Sequence, residues 1–143
     1  AYEYDLNKRE VHRTMTLVLA KERTPESLRE ALESGRTVAW AGKYLLGKEE
    51  HVRSLFDAAV ELAPSHYTEV RPNGKATHYH QITNHSDLYF ELELREGSGT
   101  GRIVLHPRSS QLISVADGTT SLTYEAVTTY IRSDRHLSVT FGL

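Results

Sequence analysis

The hydrophobic pattern of the chain changes its period at Pro64, and this change constrains the fold more than any other feature. Before Pro64, apolar residues recur at the spacing of amphipathic helices. After Pro64, short runs of alternating apolar and polar residues, such as residues 90–94, are separated by turn residues. The sequence therefore predicts an α+β fold, in which an N-terminal strand-helix-strand-helix segment precedes an antiparallel β-sandwich.

Residues 15–40 carry the most consistent local signals in the chain. The apolar run 15–20 is bounded by charges and predicts a strand. Thr24 is a good N-cap and Pro25 suits the first helical position, where a missing N–H costs nothing. Gly35 suits the left-handed position that ends a helix. We therefore expect a helix near 24–34 and a second strand at 36–40.

A short strand at 44–46 and a second helix at 49–62 complete the N-terminal segment. The apolar residues of this helix fall on one stripe, and Pro64 is expected to stop it. We expect the apolar stripes of both helices to be buried against Val38, Trp40 or the sheet. The predicted buried residues are Leu28, Leu32, Val52, Leu55, Phe56 and Val60.

Seven further strands are expected after Pro64, separated by turn residues. Their spacing is typical of an antiparallel sandwich. They are Tyr67–Arg71, Thr77–Thr83, Leu88–Leu94, Arg102–His106, Gln111–Val115, Ser121–Ile131 and His136–Phe141.

Composition excludes several classes of function. The formal net charge of −2 gives no basis for nucleic-acid binding, which requires a clustered basic face. No apolar run approaches the roughly 20 residues that span a bilayer, and from this sequence we expect neither a membrane span nor a signal peptide. The chain has no cysteine, which removes disulfides, thiolate metal sites and cysteine nucleophiles.

His78 and His80 are the candidate metal ligands. Two residues apart on a strand, they face the same side and can approach one metal ion. His66 and His85 are possible further ligands, and Asp87 is the nearest candidate carboxylate. The alternative is a pair of histidines on a solvated strand face, and we assign no catalytic or cofactor-binding residue.

Three other features have structural as well as functional interpretations. The loop Gly97–Gly101 resembles a phosphate loop, but a strand rather than a helix follows it, so we expect a flexible hairpin loop. Glu91 and Glu93 share a strand face, and we expect solvated edge charges rather than an acid/base pair. Aromatic residues of the strands are expected in the core, with a carbohydrate-stacking groove as the alternative. They are Tyr79, Tyr89, Phe90, Tyr124, Tyr130 and Phe141.

The N-terminal part contains five runs that together resemble a known family: Tyr4-Asp5, His12–Thr24, Glu30–Leu32, Gly35–Trp40 and Leu46–Glu49. These runs resemble the C-terminal end of bacterial PHP-domain metal-dependent phosphoesterases. The similarity is greatest to a phosphodiesterase-like branch with an appended β-rich domain. It covers residues 1–55 well, whereas residues 65–143 match the appended domain only in general character.

The resemblance implies that the chain has two parts. Residues 1–64 would be a remnant of the last unit of a distorted β/α barrel, together with a linking helix. Residues 65–143 would be a β-sandwich accessory domain. The metal-ligand motifs of that family cannot be assigned in this chain. Its H-x-H sequence at 78–80 lies after the last barrel unit, whereas the H-x-H motif of the family lies at the start of the barrel. No cofactor is therefore expected in this chain. Divalent metals are expected in the PHP catalytic domain upstream.

We expect this chain to be a piece of a longer bacterial phosphoesterase, a hydrolase, and to be non-catalytic itself. As an accessory domain it would pack on, orient or help oligomerise the catalytic barrel. An independent β-sandwich module that binds a ligand or a protein is the alternative, and a metal-dependent hydrolase that uses His78 and His80 is a third hypothesis. A homodimer is possible, since the apolar strand at 17–19 would otherwise leave a sheet edge open. The sequence does not fix its compartment, and a periplasmic or secreted location is compatible with it.

Overall fold

The computed structural model describes residues 14–143, and these contain two helices and ten strands. Predicted features at Tyr4-Asp5 and His12 lie outside the described residues. The elements are β1 (Thr14–Val18), α1 (Pro25–Glu33), β2 (Thr37–Ala41), β3 (Tyr44–Gly47), α2 (Glu49–Ala59), β4 (Val60–Val70), β5 (Ala76–Asn84), β6 (Phe90–Glu96), β7 (Arg102–Leu105), β8 (Ser109–Ala116), β9 (Ser121–Arg132) and β10 (Arg135–Gly142).

The strands form two sheets. The larger sheet has the order β1-β2-β3-β9-β6-β7, and β10 also pairs with β9. The smaller sheet has the order β4-β5-β8. Among the described residues, the pairs within β4 to β10 are antiparallel, and β3 pairs with β9 in parallel. The predicted antiparallel arrangement therefore needs a correction where the N-terminal segment joins the larger sheet.

The N-terminal helix has the caps that the sequence predicts. The Thr24 hydroxyl accepts a hydrogen bond from the Ser27 amide at 3.1 Å, and Pro25 occupies the first turn. Gly35 follows the helix with φ of 71°, a left-handed conformation that glycine adopts without steric cost. These local signals do not depend on tertiary packing, which explains why the sequence locates this helix well.

The second helix is shorter than predicted. It ends at Ala59, and β4 begins directly at Val60, ahead of the expected strand start at Tyr67. Pro64 lies inside β4, where the pairing with β5 shifts register between Leu62 and Ser65. Proline has no N–H for a sheet ladder and is tolerated at such irregularities. Pro64 therefore marks a bulge in a strand and does not stop the helix.

One hydrophobic cluster joins both sheets and α2. It includes Ile82 and Ile113 from the smaller sheet and Phe90 and Tyr124 from the larger one. From α2, Val52 and Phe56 are buried in this cluster, together with Val60 at the start of β4. The buried stripe predicted for the second helix is therefore confirmed at Val52, Phe56 and Val60, whereas Leu55 is only partly buried against the cluster.

The buried stripe predicted for α1 is wrong. Leu28 is 45% exposed and Leu32 is 51% exposed, while Ala31 is the buried residue of this nine-residue helix. The helix turns a small side chain inward, and the described residues provide no sheet face that covers its leucines. The sequence period shows that a helix has an apolar stripe, but it cannot show whether a partner is present.

The observed fold is mostly β, with two helices in the N-terminal part. The predicted α+β class is confirmed at that level, and the parallel β3–β9 pair is the departure from it. Neither helix in residues 14–143 has the length and apolar character of a membrane-crossing segment.

Candidate functional site

The two candidate metal ligands lie on one side of β5, as their spacing predicts. His78 and His80 both line a pocket of about 450 Å³. Its other walls come from the 62–65 segment of β4, from Val115 and from the chain end at 142–143. The pocket is therefore bordered by strands of the smaller sheet and by the end of β10.

Both ring nitrogens of His78 are engaged by protein groups. Its Nδ1 lies 2.9 Å from the Thr68 hydroxyl, and its Nε2 lies 2.8 Å from the Asp117 carboxylate. Thr68 is paired with His78 across the β4–β5 ladder, whereas Asp117 follows β8. A metal ion could use this imidazole only if one of these contacts were broken.

His80 presents a different arrangement. Its Nδ1 donates to the Ala63 carbonyl oxygen at 2.9 Å, and because a carbonyl can only accept, this nitrogen carries the proton. In the neutral form of the ring, this contact places the lone pair on Nε2. A backbone contact of this kind orients many metal-binding histidines, but one orienting contact does not make a site.

The further ligands that a metal would need are placed elsewhere. His85 Nε2 lies 3.0 Å from the Glu61 carboxylate, and Asp87 accepts from the Arg108 guanidinium at 3.0 Å. Within residues 14–143 no group of three or more His, Asp or Glu side chains is arranged to hold a metal ion. A metal bound by His78 and His80 stays a prediction.

Sequence reasoning missed Asp117 as the carboxylate beside His78. The two residues are 39 positions apart, and only the β5–β8 register, which pairs Thr77 with Ala116, brings them together. No spacing rule within the sequence gives such a register. The signal that was available, an Asp-Gly turn after a strand, indicates a turn and not a contact.

The glycine-rich loop is a hairpin connection between β6 and β7, as the sequence predicts. It is also tied to the neighbouring sheet: the Thr100 amide donates to the Ser114 carbonyl oxygen, and the Ala116 amide donates to the Ser98 carbonyl oxygen, each at 2.9 Å. The expected flexibility is therefore limited by these bonds. Gly99 pairs with Val115 in an isolated bridge, so the loop extends the edge of the smaller sheet.

Glu91 and Glu93 each have partners on the larger sheet. The Tyr89 hydroxyl donates to Glu91 and holds the pKa of that carboxyl below its ordinary value. Arg102 lies 3.4 Å from Glu91, and Arg95 lies 3.0 Å from Glu93. A general acid would need a raised pKa, whereas the pKa of the Glu91 carboxyl is lowered.

The strand aromatics divide between the core and the surface. Phe90 and Tyr124 are fully buried. Tyr79 is half-buried and lines a groove on the outer face of the smaller sheet. The core interpretation therefore holds for the first two residues, while Tyr79 occupies the kind of position that the groove alternative required.

Within residues 14–143, the N-terminal segment exposes apolar surface beside a sheet edge that no described strand covers. β1 ends the larger sheet and pairs with β2 on one side. Met15 on β1 is 45% exposed, similar to the two leucines of α1. This combination of an edge strand and uncovered apolar side chains is typical of a surface that meets another domain or chain.

Comparison with known proteins gives one family match and one solved structure. A family model described as an Ig-like domain matches residues 60–142. The chain is also similar to a two-domain protein from Bacteroides vulgatus that contains a predicted PHP-like metal-dependent phosphoesterase. The TM-score is 0.77 with 26% sequence identity, over 92% of this chain and 39% of that protein. No functionally curated protein matches the chain.

The resemblance that the N-terminal sequence indicated is confirmed by this structural match. A coverage of 92% extends well beyond residues 1–55, so the β-rich part is included in the similarity. The chain spans about 39% of the length of the two-domain protein. The remaining length of that protein has no counterpart in this chain.

Proposed function

The chain belongs to the family of Ig-like domains, and we propose that it is the non-catalytic accessory part of a two-domain protein whose other domain is a PHP-type metal-dependent phosphoesterase. The observation that carries this proposal is the match of 92% of the chain to 39% of such a protein. In the proposal, the divalent metals and the hydrolytic chemistry belong to the other domain of the same polypeptide.

The proposed division of the chain lies at residues 64 and 65. Residues 1–64 continue the last unit of the PHP-type domain and link it to the sandwich, and residues 65–143 form the accessory sandwich. The parallel pairing of β3 with β9 supports a rigid connection between the two parts, because Leu45 and Leu46 share a sheet with Thr129 and Tyr130. The accessory part would then hold a fixed orientation to the catalytic domain.

We propose that the catalytic domain covers the β1 edge and the leucines of α1. Domain interfaces within a chain remove apolar side chains from water, and Leu28 and Leu32 are both about half exposed. Among residues 14–143 no strand pairs with the outer edge of β1, so its backbone groups there are available to a partner next to this surface. Packing and orientation of the catalytic barrel is therefore the proposed role.

The coding sequence around this chain provides the first test. We expect a PHP-type domain, opened by an H-x-H motif, upstream in the same reading frame. A reading frame that encodes this chain without such a domain would contradict the proposal.

The second test uses the full two-domain protein and a matched pair of leucines. Leu28→Glu should uncouple the domains, so that calorimetry shows two separate unfolding transitions or a lower first transition. Leu112→Glu is the control, because Leu112 is 46% exposed, nearly the same as Leu28, but lies on β8 of the smaller sheet. Equal effects of the two substitutions would contradict the proposed interface.

A further inference from the structure

A groove of about 690 Å³ crosses the outer face of the smaller sheet, on the face of β5 opposite to the side chains of His78 and His80. Thr77 on β5 and Ser114 on β8 contribute to its floor. Tyr79 lines it on β5, and Ser98 and Gly99 line it beyond the edge of β8. The groove therefore combines an aromatic ring with hydroxyl and backbone groups.

The strand register orders these groups along the groove. Tyr67 pairs with Tyr79, and the next pair on the same face, two residues along, is Glu69 with Thr77. The Arg71 amide donates to the Lys75 carbonyl oxygen at 2.9 Å across the hairpin turn, so these two residues continue the same face. Lys75 lies four residues from Tyr79, which corresponds to about 13 Å along a strand.

The aromatic side of the groove is held in place by neighbouring side chains. The rings of Tyr67 and Tyr79 stack with centroids 4.6 Å apart and an interplanar angle of 16°. The Tyr79 hydroxyl donates to the Glu69 carboxylate at 3.2 Å. One face of the Tyr79 ring is therefore covered by Tyr67, and the same ring lines the groove.

The far end of the groove carries positive charge. Arg71 and Lys75 both line it, and neither forms an ion pair with another described residue. Asp117 also lines the groove, but its carboxylate is bonded to His78. A guanidinium and an ammonium that line the same groove favour a carboxylate or sulfate group in the ligand.

We propose that this groove binds an anionic saccharide. A sugar ring packs its apolar face on Tyr79, since aromatic rings offer flat apolar contact area. Its hydroxyls exchange hydrogen bonds with the hydroxyls of Thr77 and Ser114, and its carboxylate or sulfate lies between Arg71 and Lys75. This inference goes beyond the accessory role and does not depend on it, because the groove lies on a different sheet from the proposed domain interface.

The test titrates the protein with trigalacturonate, with a sulfated trisaccharide and with a neutral trisaccharide of matched linkage. Isothermal titration calorimetry should show binding of one or both anionic probes, and the neutral probe should bind about tenfold more weakly or worse, because it lacks the charge-assisted bonds. The two anionic arms distinguish carboxylate from sulfate recognition. No binding of either anionic probe, or equal binding of the neutral one, would overturn the proposal.

A charge-reversed pair of variants locates the site. Arg71→Glu with Lys75→Glu should weaken binding by at least about tenfold. The matched control is Arg132→Glu with Arg135→Glu, which reverses two arginines that also face each other across a hairpin turn, between β9 and β10. Tyr79→Ala should also weaken binding, with unchanged circular dichroism as the check on folding. Equal losses in the test and control pairs would place the binding elsewhere and overturn the assignment.

Discussion

Phe56 attaches α2 to the core through aromatic contacts on two sides. Its ring meets Phe90 edge-on at 5.1 Å between centroids and lies 6.1 Å from Phe141. It is 2% exposed, so truncation would leave a cavity between the helix and the sheets. Phe56→Ala should therefore lower the free energy of unfolding by about 3–5 kcal/mol.

Urea unfolding at neutral pH measures this loss. Leu32→Ala is the control on the other helix, and it should cost less than about 1 kcal/mol because Leu32 is already half exposed. A loss below about 1 kcal/mol for Phe56→Ala would show that α2 is not anchored as described.

Tyr124 gives the fold a dependence on alkaline pH. Burial raises the pKa of its phenol to about 12, and its hydroxyl donates to the Thr100 carbonyl oxygen at 2.7 Å. Since the folded pKa lies above the ordinary value of about 10, the neutral phenol stabilises the fold fully below about pH 10. This contribution is lost as the pH rises through about 12.

Tyr124→Phe should cost about 1–3 kcal/mol near neutral pH, because it leaves the Thr100 carbonyl without this donor. The stability difference between wild type and variant should then shrink as the pH rises from about 10 to about 12. Urea unfolding across this range measures it. A constant difference up to about pH 12 would show that the phenol does not titrate with the fold.

At the scale of elements, β1 is the strand whose environment depends most on a partner. It pairs with β2, and its other edge, at the end of the larger sheet, has no partner strand in the part of the chain that the structure describes. In the absence of another domain, open edges promote pairing between chains. We therefore expect this chain, produced alone, to self-associate through β1.

Val18→Lys should weaken that self-association, because a lysine on an edge strand opposes edge-to-edge pairing. Light scattering at several protein concentrations measures it. Val70→Lys is the control, since Val70 is exposed on β4, the edge strand of the smaller sheet. An unchanged mass in Val18→Lys, or an equal change in both variants, would exclude β1 as the contact.

Elements with local signals could be predicted from the sequence, and those that depend on distant partners could not. The start of α1 is predicted from Thr24 and Pro25 alone, and the helix begins there in the structure. The end of α2 was misplaced, since the β4–β5 pairing draws Val60 into a strand before Pro64 is reached. Tertiary pairing overrides local propensity at such boundaries.

The candidate sites show the same division. The common face of His78 and His80 follows from strand geometry and could be predicted. The Asp117 contact and the alignment of Tyr79 with Arg71 and Lys75 follow from the registers of β5 with β8 and with β4. Register depends on packing of whole faces, which a single sequence does not reveal.

At the scale of the whole molecule, the arrangement of the carboxylates predicts that this chain, without its proposed partner domain, has no phosphoesterase activity. Divalent phosphoesterase sites hold hard cations with several anionic oxygen ligands. In residues 14–143 the carboxylate beside His78 is bonded to that histidine, and Asp87 is bonded to Arg108. The proposed two-domain organisation assigns the metals to the other domain.

The isolated chain should therefore hydrolyse neither an aryl phosphate nor an aryl phosphodiester in the presence of manganese, zinc or iron. Release of the aryl product measures turnover, and His78→Ala with His80→Ala is the companion variant. Turnover by the wild type that disappears in this double variant would establish a metal-dependent site on β5. Turnover that persists in the double variant would show that it does not depend on His78 and His80. The expected result, no metal-dependent hydrolysis by either protein, would leave the phosphoesterase chemistry with the domain that this chain is proposed to accompany.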